Sequence, residues 1–204
     1  MFIELIDLLR CTRPHEDSWL VAMFHEMRER DVVEGLLSCP VCEARYPITG
    51  GVAWFDLEPG AAAGTDVGVD ADGMRAAAYL NLVEPGVVLL EGEWGGASEA
   101  VAALDCTVIT LNFAAGAGGA KVSRIRANGT VPLARECLDG IALASDEARL
   151  MESAARAVKV GARMIAPAAA QLPVGMVELA RDEKWWVGAR EGLNTSAPVQ
   201  IARR

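Results

Sequence analysis

The sequence lacks an excess of basic residues and lacks a long apolar run, and each absence argues against a class of protein. Its 204 residues contain 19 Lys and Arg against 28 Asp and Glu, which gives a formal net charge of −9. Because nucleic-acid-binding proteins usually carry a basic face, this acidity argues against a large phosphate-binding surface, although a local patch stays compatible with it. The apolar stretches are short and broken by proline, glycine or charge, so none predicts a transmembrane span.

The sequence also lacks a basic leader, and its number of cysteines is odd. The first ten residues carry Glu4 and Asp7, which argues against a signal peptide. Five cysteines, with one close pair, are typical of metal ligation in a reducing compartment rather than of a disulfide framework. We therefore expect a cytoplasmic protein that binds neither a membrane nor nucleic acid directly.

Changes in composition divide the chain into four parts. These are a first unit, a linker rich in Gly, Ala and Asp, a second unit and a polar tail, at residues 1–57, 58–73, 74–192 and 193–204. In the first unit, residues 2–9 are expected to form a strand that leads to Cys11. The apolar residues of 19–30 recur at helical spacing and predict a helix.

Short apolar runs and helical patterns alternate through the second unit. The runs predict strands, and the periodic segments predict helices, the second of which should stop at Gly161. The strands are at 87–90, 108–111, 140–144 and 164–166, and the helices at 98–104 and 146–160. Such alternation is typical of a parallel sheet with helices on its faces, so we expect an α/β fold.

A proline-containing turn places Cys39 and Cys42 three positions apart. This spacing lets two thiolates reach one tetrahedral ion, and sulfur ligands suit zinc. The segment from Val33-Glu-Gly through this pair to the run Tyr-Pro-Ile-Thr-Gly-Gly at 46–51 resembles the small zinc-ribbon activator protein that partners tRNA, rRNA and translation-release-factor methyltransferases. The alternative is a metal-free ribbon in which both cysteines are small buried residues.

The resemblance implies two further metal ligands in the first unit. Cys11 is the third ligand, because it ends the first strand of that family, and relatives with a full site carry a second cysteine close to it. Here His15 follows instead, and it can reach the same ion across a short turn. His25 is the alternative fourth ligand. A site of three cysteines and one histidine leaves no open position for a catalytic water and is structural.

Residues 85–96, Pro-Gly-Val-Val-Leu-Leu-Glu-Gly-Glu-Trp-Gly-Gly, resemble the first motif of class I S-adenosylmethionine (SAM) methyltransferases, a strand followed by a Gly-rich turn. Segments at 108–112, 131–141 and 152–166 follow in the order of that family's later motifs. The resemblance implies a short Rossmann-like second domain that binds SAM through Glu91, Gly92, Glu93, Gly96 and Asn112.

Two positions depart from the methyltransferase pattern. Trp94 replaces the central glycine of the turn, and an indole there is expected to project into the space that the cofactor fills. Asn112 replaces the carboxylate that holds both ribose hydroxyls, a loss of roughly 1–3 kcal/mol. No cysteine pairs with a base in a recognisable order, and Cys106 and Cys137, beside strand candidates, are expected to be core residues.

Two functions follow from these motifs. The first is a non-catalytic fusion of an activator-like zinc ribbon with a degenerate methyltransferase fold, which acts as a scaffold or regulatory subunit for a protein partner, a methyltransferase or a second copy. The ribbon would add a strand either to the sheet of the second unit or to another chain. The alternative function is an active SAM-dependent methyltransferase with its activator fused in cis.

The pair Trp185-Trp186 is expected to place one ring in the core and the other against a neighbour or partner.

Overall fold

The computed structural model of the chain describes residues 1–60, 73–113 and 121–192. The predicted tail, 193–204, and most of the predicted linker, 58–73, lie outside these residues. The strands, in chain order, are β1 Val21–Arg28, β2 Asp31–Ser38, β3 Arg45–Thr49, β4 Val52–Phe55, β5 Val87–Glu91, β6 Thr107–Leu111, β7 Val122–Ala127, β8 Leu138–Ala142, β9 Val158–Pro167, β10 Met176–Arg181 and β11 Trp185–Arg190. The helices are α1 Gly73–Leu80, α2 Ser98–Ala102 and α3 Ala148–Ala157, with 3-10 helices at Ile3–Leu8 and Gly92–Ala97.

Within the described ranges, all eleven strands belong to one sheet, in the order β1-β2-β3-β4-β7-β6-β5-β8-β9-β11-β10. The strands from β4 to β9 in this order pair in parallel, and the strands on both flanks pair in antiparallel fashion. Parallel strands need crossover segments on the faces of a sheet, and helices supply several of them here. The structure therefore confirms the predicted α/β fold class.

The central strands are buried because a layer of the core lies on each face of the sheet. On one face, α1 and α2 pack on alternate residues of the parallel strands, among them Val88 and Leu90. On the other face, α3 and the N-terminal 3-10 helix pack on the residues between them, such as Leu89. This two-sided burial explains why β5 and β6 read as continuous apolar runs in the sequence. No helix of the described part is long and apolar enough to cross a membrane.

The first unit joins the sheet of the second through β4. Val52 pairs in parallel with Arg124, and Phe55 pairs with Ala127 at the end of β7. Of the two arrangements considered for the ribbon, the structure has the one in which its strand extends the sheet of the same chain. The carboxyl ends of β2, β4, β7, β6, β5 and β8 consequently lie along one edge of the sheet.

Two predictions for the first unit are wrong. Residues 19–30 are not helical, because they contain the edge strand β1, which pairs with β2 through an irregular stretch between Phe24 and Met27. Of the four apolar residues that suggested a helix face, Leu20 is buried but Met23, Phe24 and Met27 are exposed, so their spacing did not report a buried stripe. Most of the run 2–9 forms the 3-10 helix Ile3–Leu8 instead of a strand, and its Leu5 enters the core.

The second unit departs from prediction mainly in the lengths of its elements. The helix predicted at 146–160, α3 in the structure, ends at Ala157 rather than at Gly161, and β9 starts directly at Val158. Gly161, with φ +81°, lies inside β9, near the point where the register with β8 shifts. The sequence did not predict β7, in which two arginines alternate with buried residues, or the exposed edge strand β10.

Candidate functional site

A turn after β2 positions the first pair of candidate metal ligands. Cys39 follows the last residue of β2, and its backbone N–H donates to the carbonyl of Ala44 at 2.9 Å. The N–H of Glu43 donates back to the carbonyl of Cys39 at 3.0 Å, and Glu43 takes a φ of 58°. These bonds close the turn, so Cys42 returns to the same side as Cys39.

The loop after the N-terminal 3-10 helix brings Cys11 and His15 to this turn. The ligand atoms of Cys11, His15, Cys39 and Cys42 all lie within 4.8 Å of one another. Sγ of Cys11 is 3.6 Å from Sγ of Cys42, and Sγ of Cys39 is 3.4 Å from Nε2 of His15. Around zinc with Zn–S of about 2.3 Å, tetrahedral ligand atoms lie about 3.5–3.8 Å apart, so these separations fit a metal ion.

These four residues are the ones that the sequence singled out as metal ligands. The alternative histidine, His25, lies exposed on β1 and is not part of the group. Nδ1 of His15 lies 2.6 Å from the backbone carbonyl of Glu16 and can only donate to it. This bond selects the tautomer in which Nε2 carries the lone pair for a metal, as is usual for histidine ligands.

The thiols of the cluster differ in their electrostatic surroundings. Burial raises the pKa of the Cys11 thiol to about 11. Burial also opposes ionisation of Cys39, but hydrogen bonds from the backbone N–H groups of Cys42 and Val41 outweigh it and lower the pKa of Cys39 to about 6. The turn thus favours a thiolate at Cys39, the form in which cysteine binds a metal.

Tyr46 connects the cluster to the core, and the sequence reasoning did not assign it a role at the site. Its hydroxyl lies 3.1 Å from Sγ of Cys11, and burial raises its pKa to about 12, so the hydroxyl stays a neutral donor. Its ring stacks on Phe55, with centroids 4.6 Å apart. The feature of the sequence that could have indicated this role is the position of Tyr46 in the run that follows Cys42.

The second candidate site is the Gly-rich turn, which begins where β5 ends. Glu91, the last residue of β5, is buried, and its Oε2 accepts hydrogen bonds from the backbone N–H of Ala144 at 2.8 Å and of Ser145 at 3.1 Å. Burial raises the pKa of this carboxyl group, although the two hydrogen bonds oppose the rise. Glu91 therefore ties the end of β5 to the end of β8, next to Gly92, whose φ is +59°.

Trp94 packs into the core beneath α1 and α2 rather than standing in an open cleft. It is 3% exposed, and its ring lies 5.0 Å from the ring of Trp185. The next residue, Trp186, is fully buried and donates from Nε1 to the carbonyl of Ala170. The ring of Trp185 thus packs against a neighbour and the ring of Trp186 lies in the core, as the sequence predicts.

Among the remaining residues of the implied cofactor site, Asn112 is hydrogen-bonded by its side chain to the backbone of the same chain. Asn112 has a φ of 55°, and its side-chain amide donates to the carbonyl of Ala127 and accepts from its N–H, both at 3.0 Å. Both ends of the amide thus hold the end of β7. Glu93 is half-buried and Gly96 is exposed at the turn. Their role toward SAM stays a prediction.

Phe113 covers the Gly-rich turn, and the sequence reasoning missed it. A Cβ atom added to Gly95 would lie only 2.2 Å from Cγ of Phe113, so the aromatic ring rests on the glycine backbone. The only feature of the sequence that could have indicated this contact is that an aromatic residue directly follows Asn112.

Cys106 and Cys137 lie in the core as expected, and burial raises the pKa of Cys137 to about 11.

No protein-family model matches this chain, and no curated protein matches it. Solved structures that resemble it include SAM-dependent methyltransferases. A putative methyltransferase from an antibiotic biosynthesis pathway of Anabaena variabilis is 14% identical, with a TM-score of 0.38, over 47% of this chain and 43% of that chain. The antibiotic-resistance methyltransferase Kmr is 15% identical, with a TM-score of 0.40, over 59% of this chain and 93% of that chain.

A third solved structure is the 16S rRNA N2 G1207 methyltransferase of T. thermophilus, in complex with AdoMet and guanosine. It is 16% identical, with a TM-score of 0.33, over 77% of this chain and 45% of that chain. The chain thus spans less than half of the Anabaena and T. thermophilus proteins. Identities this low concern the fold alone, and the α/β class rests on the strand pairings given above.

Proposed function

We propose that the chain is a non-catalytic fusion of a methyltransferase-activator-like metal ribbon with a methyltransferase-like fold, and that it acts as a protein-binding scaffold or regulatory subunit. The observation that carries this proposal is the contact of Phe113 with the backbone of Gly95. A SAM-binding turn of this kind needs glycine so that the cofactor can approach the backbone closely. Gly95 lies in this turn, between Trp94 and the motif glycine Gly96, and here a side chain of the same protein packs on its backbone.

Two further contacts support the proposal. The amide of Asn112, at the position where the family carries a ribose-binding carboxylate, gives both its donor and its acceptor to Ala127. The carboxylate of Glu91 accepts two backbone N–H groups from the end of β8. Binding of ribose hydroxyls at Asn112 would break hydrogen bonds that hold the end of β7.

We further propose zinc as the ion of the Cys/His cluster, with a structural role. Three sulfur atoms and one imidazole nitrogen at these separations form a donor set typical of structural zinc. A bound zinc ion would supply the link between the loop of Cys11 and His15 and the turn of Cys39 and Cys42. The other residues act around it: Tyr46 contacts Cys11, and the Glu16 carbonyl orients His15.

The partner that we propose is a protein, either a methyltransferase or a second copy of this chain, in the cytoplasm. All five cysteines are free, which suits a reducing compartment. The ribbon strand β4 is already paired with β7 of the same chain, so it is not free to extend the sheet of another protein. A partner would therefore bind elsewhere on the molecule.

Transfer of tritiated methyl groups from SAM tests the proposal. The purified, zinc-loaded chain is incubated with labelled SAM and with tRNA, rRNA or a cell protein fraction, beside a known methyltransferase as positive control. The proposal predicts no label in any acceptor above the no-protein background. Label that rises with the concentration of this chain would instead support the alternative, an active methyltransferase with its activator fused in cis.

A further inference from the structure

A polar cleft of about 550 Å³ lies beside the metal cluster, near the carboxyl ends of β4 and β7. Residues of the loop between Cys11 and His15 form one wall, and residues of β3, the end of β4 and the start of α3 form the others. The residues that matter for its chemistry are Arg13, Arg45, Trp54, Asp56, Glu58 and Arg149.

Three guanidinium groups from three separate elements line the cleft. Arg13 pairs with Asp56 at 2.9 Å, so this pair is close to neutral. Arg45 on β3 and Arg149 on α3 are exposed and make no side-chain hydrogen bond or ion pair within the described part of the chain. Glu58 is the other carboxylate of the lining. The cleft thus keeps a local positive excess on a protein of net charge −9.

The wall also contains a buried donor. Trp54 is 8% exposed, and its indole Nε1 has no hydrogen-bond partner among the residues that the structure describes. Buried polar groups are almost always paired, so an unpaired indole N–H beside a cleft marks a place that lacks an acceptor. The lining thus contains three arginines against two carboxylates, and Trp54 adds a buried donor that has no partner among the described residues.

We propose that this cleft binds a small molecule that carries phosphate groups. Arginine side chains bind phosphate oxygens through paired N–H groups, and Arg45 and Arg149, which come from separate elements, can bind two phosphates. The volume is far larger than one phosphate and lies in the range of small-ligand sites. Charges beyond about 8–10 Å are screened at physiological salt, so the local arginines outweigh the acidic surface for a small anion.

A long polyanion such as RNA is a less suitable ligand. It would extend past the cleft over a surface that is acidic overall, and RNA binding needs many phosphate contacts along a basic face. The cleft provides two unpaired guanidinium groups, which suits a diphosphate. This proposal holds whether or not the second domain transfers methyl groups.

The metal cluster and the cleft share a loop. Thr12 and Arg13 line the cleft and lie between the ligands Cys11 and His15. The hydroxyl of Thr12 donates to Asp56 and lies 3.0 Å from the hydroxyl of Tyr46, which contacts Cys11. A metal that fixes Cys11 and His15 therefore also fixes Arg13 and Thr12 in the cleft wall. By linkage, the metal strengthens anion binding and the anion strengthens metal binding by the same factor.

Calorimetric titration of the zinc-loaded chain with inorganic pyrophosphate tests the proposal, with ADP as a second arm. A ¹H–¹⁵N spectrum follows the indole N–H of Trp54, which Trp54→Phe assigns. We expect saturable binding and a shift of the Trp54 signal. The double variant Arg45→Gln with Arg149→Gln should bind at least about tenfold more weakly, since each charge-assisted contact is strong. Arg28→Gln, an exposed β1 residue paired with Glu26, is the control and should bind like the wild type.

The possible results separate clearly. Binding of pyrophosphate that the double variant weakens supports the site, and tighter binding of ADP indicates a nucleotide ligand. No heat and no shift at millimolar pyrophosphate, or equal affinity in the double variant with an unchanged melting temperature, overturns it. An RNA oligonucleotide that binds more tightly than either small molecule and displaces pyrophosphate overturns the small-molecule assignment. Removal of zinc with a chelator should weaken pyrophosphate binding severalfold, and unchanged affinity overturns the coupling.

Discussion

The ring of Phe113 rests on the backbone of Gly95, where a Cβ atom would lie 2.2 Å from Cγ of the phenylalanine. Glycine is therefore required at this turn for a reason internal to the protein. Phe113 follows β6 and Gly95 follows β5, so the contact also fixes the ends of two neighbouring parallel strands. Gly95 lies between Trp94 and the motif glycine Gly96, so the side chain of Phe113 packs on the Gly-rich turn itself.

The contact predicts a strong coupling between the two residues. Gly95→Ala should lower the free energy of unfolding by about 1–3 kcal/mol, because overpacking of a tight contact forces the ring or the backbone to move. In a Phe113→Ala background the same change should cost much less. Urea unfolding of the wild type, both single variants and the double variant measures the coupling energy. Strictly additive effects would show that Phe113 does not rest on Gly95 in solution.

Asn112 is predicted to act as a structural clamp. Asn112→Asp keeps a residue that tolerates a φ of 55° but replaces the donor that bonds the Ala127 carbonyl, so the unfolding free energy should fall by about 1–3 kcal/mol. Asn81→Asp is a matched control, since Asn81 has a φ of 56° and is exposed. A role in holding ribose predicts the opposite, namely that Asn112→Asp creates or improves SAM binding at little cost in stability.

The two histidines offer a matched test of the metal site. His15→Gln should weaken zinc binding by well over about tenfold, because loss of a partner that only orients a ligand already costs about 10–100-fold. His25→Gln, on exposed β1, should retain one zinc per chain. Zinc content after gel filtration and competition with a chromogenic chelator give the affinities. Equal zinc retention by both variants would contradict the assignment of His15.

Glu91 predicts a dependence of stability on pH. Because burial raises its pKa above the ordinary 4.5, the folded state binds this proton more tightly than the unfolded state does. Its contribution to stability is therefore present below that ordinary pKa and is lost as the pH rises through the folded-state pKa. Relative to Glu91→Gln, the wild type should lose unfolding free energy as the pH rises above the ordinary pKa of 4.5.

Urea unfolding of both proteins at several pH values measures the difference. Glu152→Gln, an exposed change on α3, controls for effects of pH on the rest of the molecule, including the metal ligands. A wild type that gains stability over Glu91→Gln as the pH rises would show that the hydrogen bonds from Ala144 and Ser145 outweigh burial.

The metal cluster was predictable from sequence because short spacing carries most of its geometry. The pair Cys39 and Cys42 is fixed by one turn, and the resemblance to the zinc-ribbon family supplied Cys11. The strands β5 and β6 were predictable because both faces of each are buried, which leaves an unbroken apolar run.

The rest depends on contacts between residues far apart in the chain. The sequence of β1 fits a helical period, and only its pairing with β2 makes it a strand. Strand β7 was not recognised in the sequence because its two arginines interrupt the apolar pattern, although its alternate residues are buried beside β4 and β6. The contact of Phe113 with Gly95 joins the ends of two strands, and no local pattern indicates it.

The claim that the second domain is not a SAM-dependent enzyme is tested most directly by calorimetric titration of the zinc-loaded chain with SAM, beside a SAM-binding methyltransferase as positive control. We predict no saturable heat at millimolar SAM, because the side chain of Phe113 packs on the Gly-rich turn and the amide of Asn112 is already bonded to Ala127. Saturable binding with a micromolar dissociation constant would contradict the account and favour an active methyltransferase with its activator fused in cis.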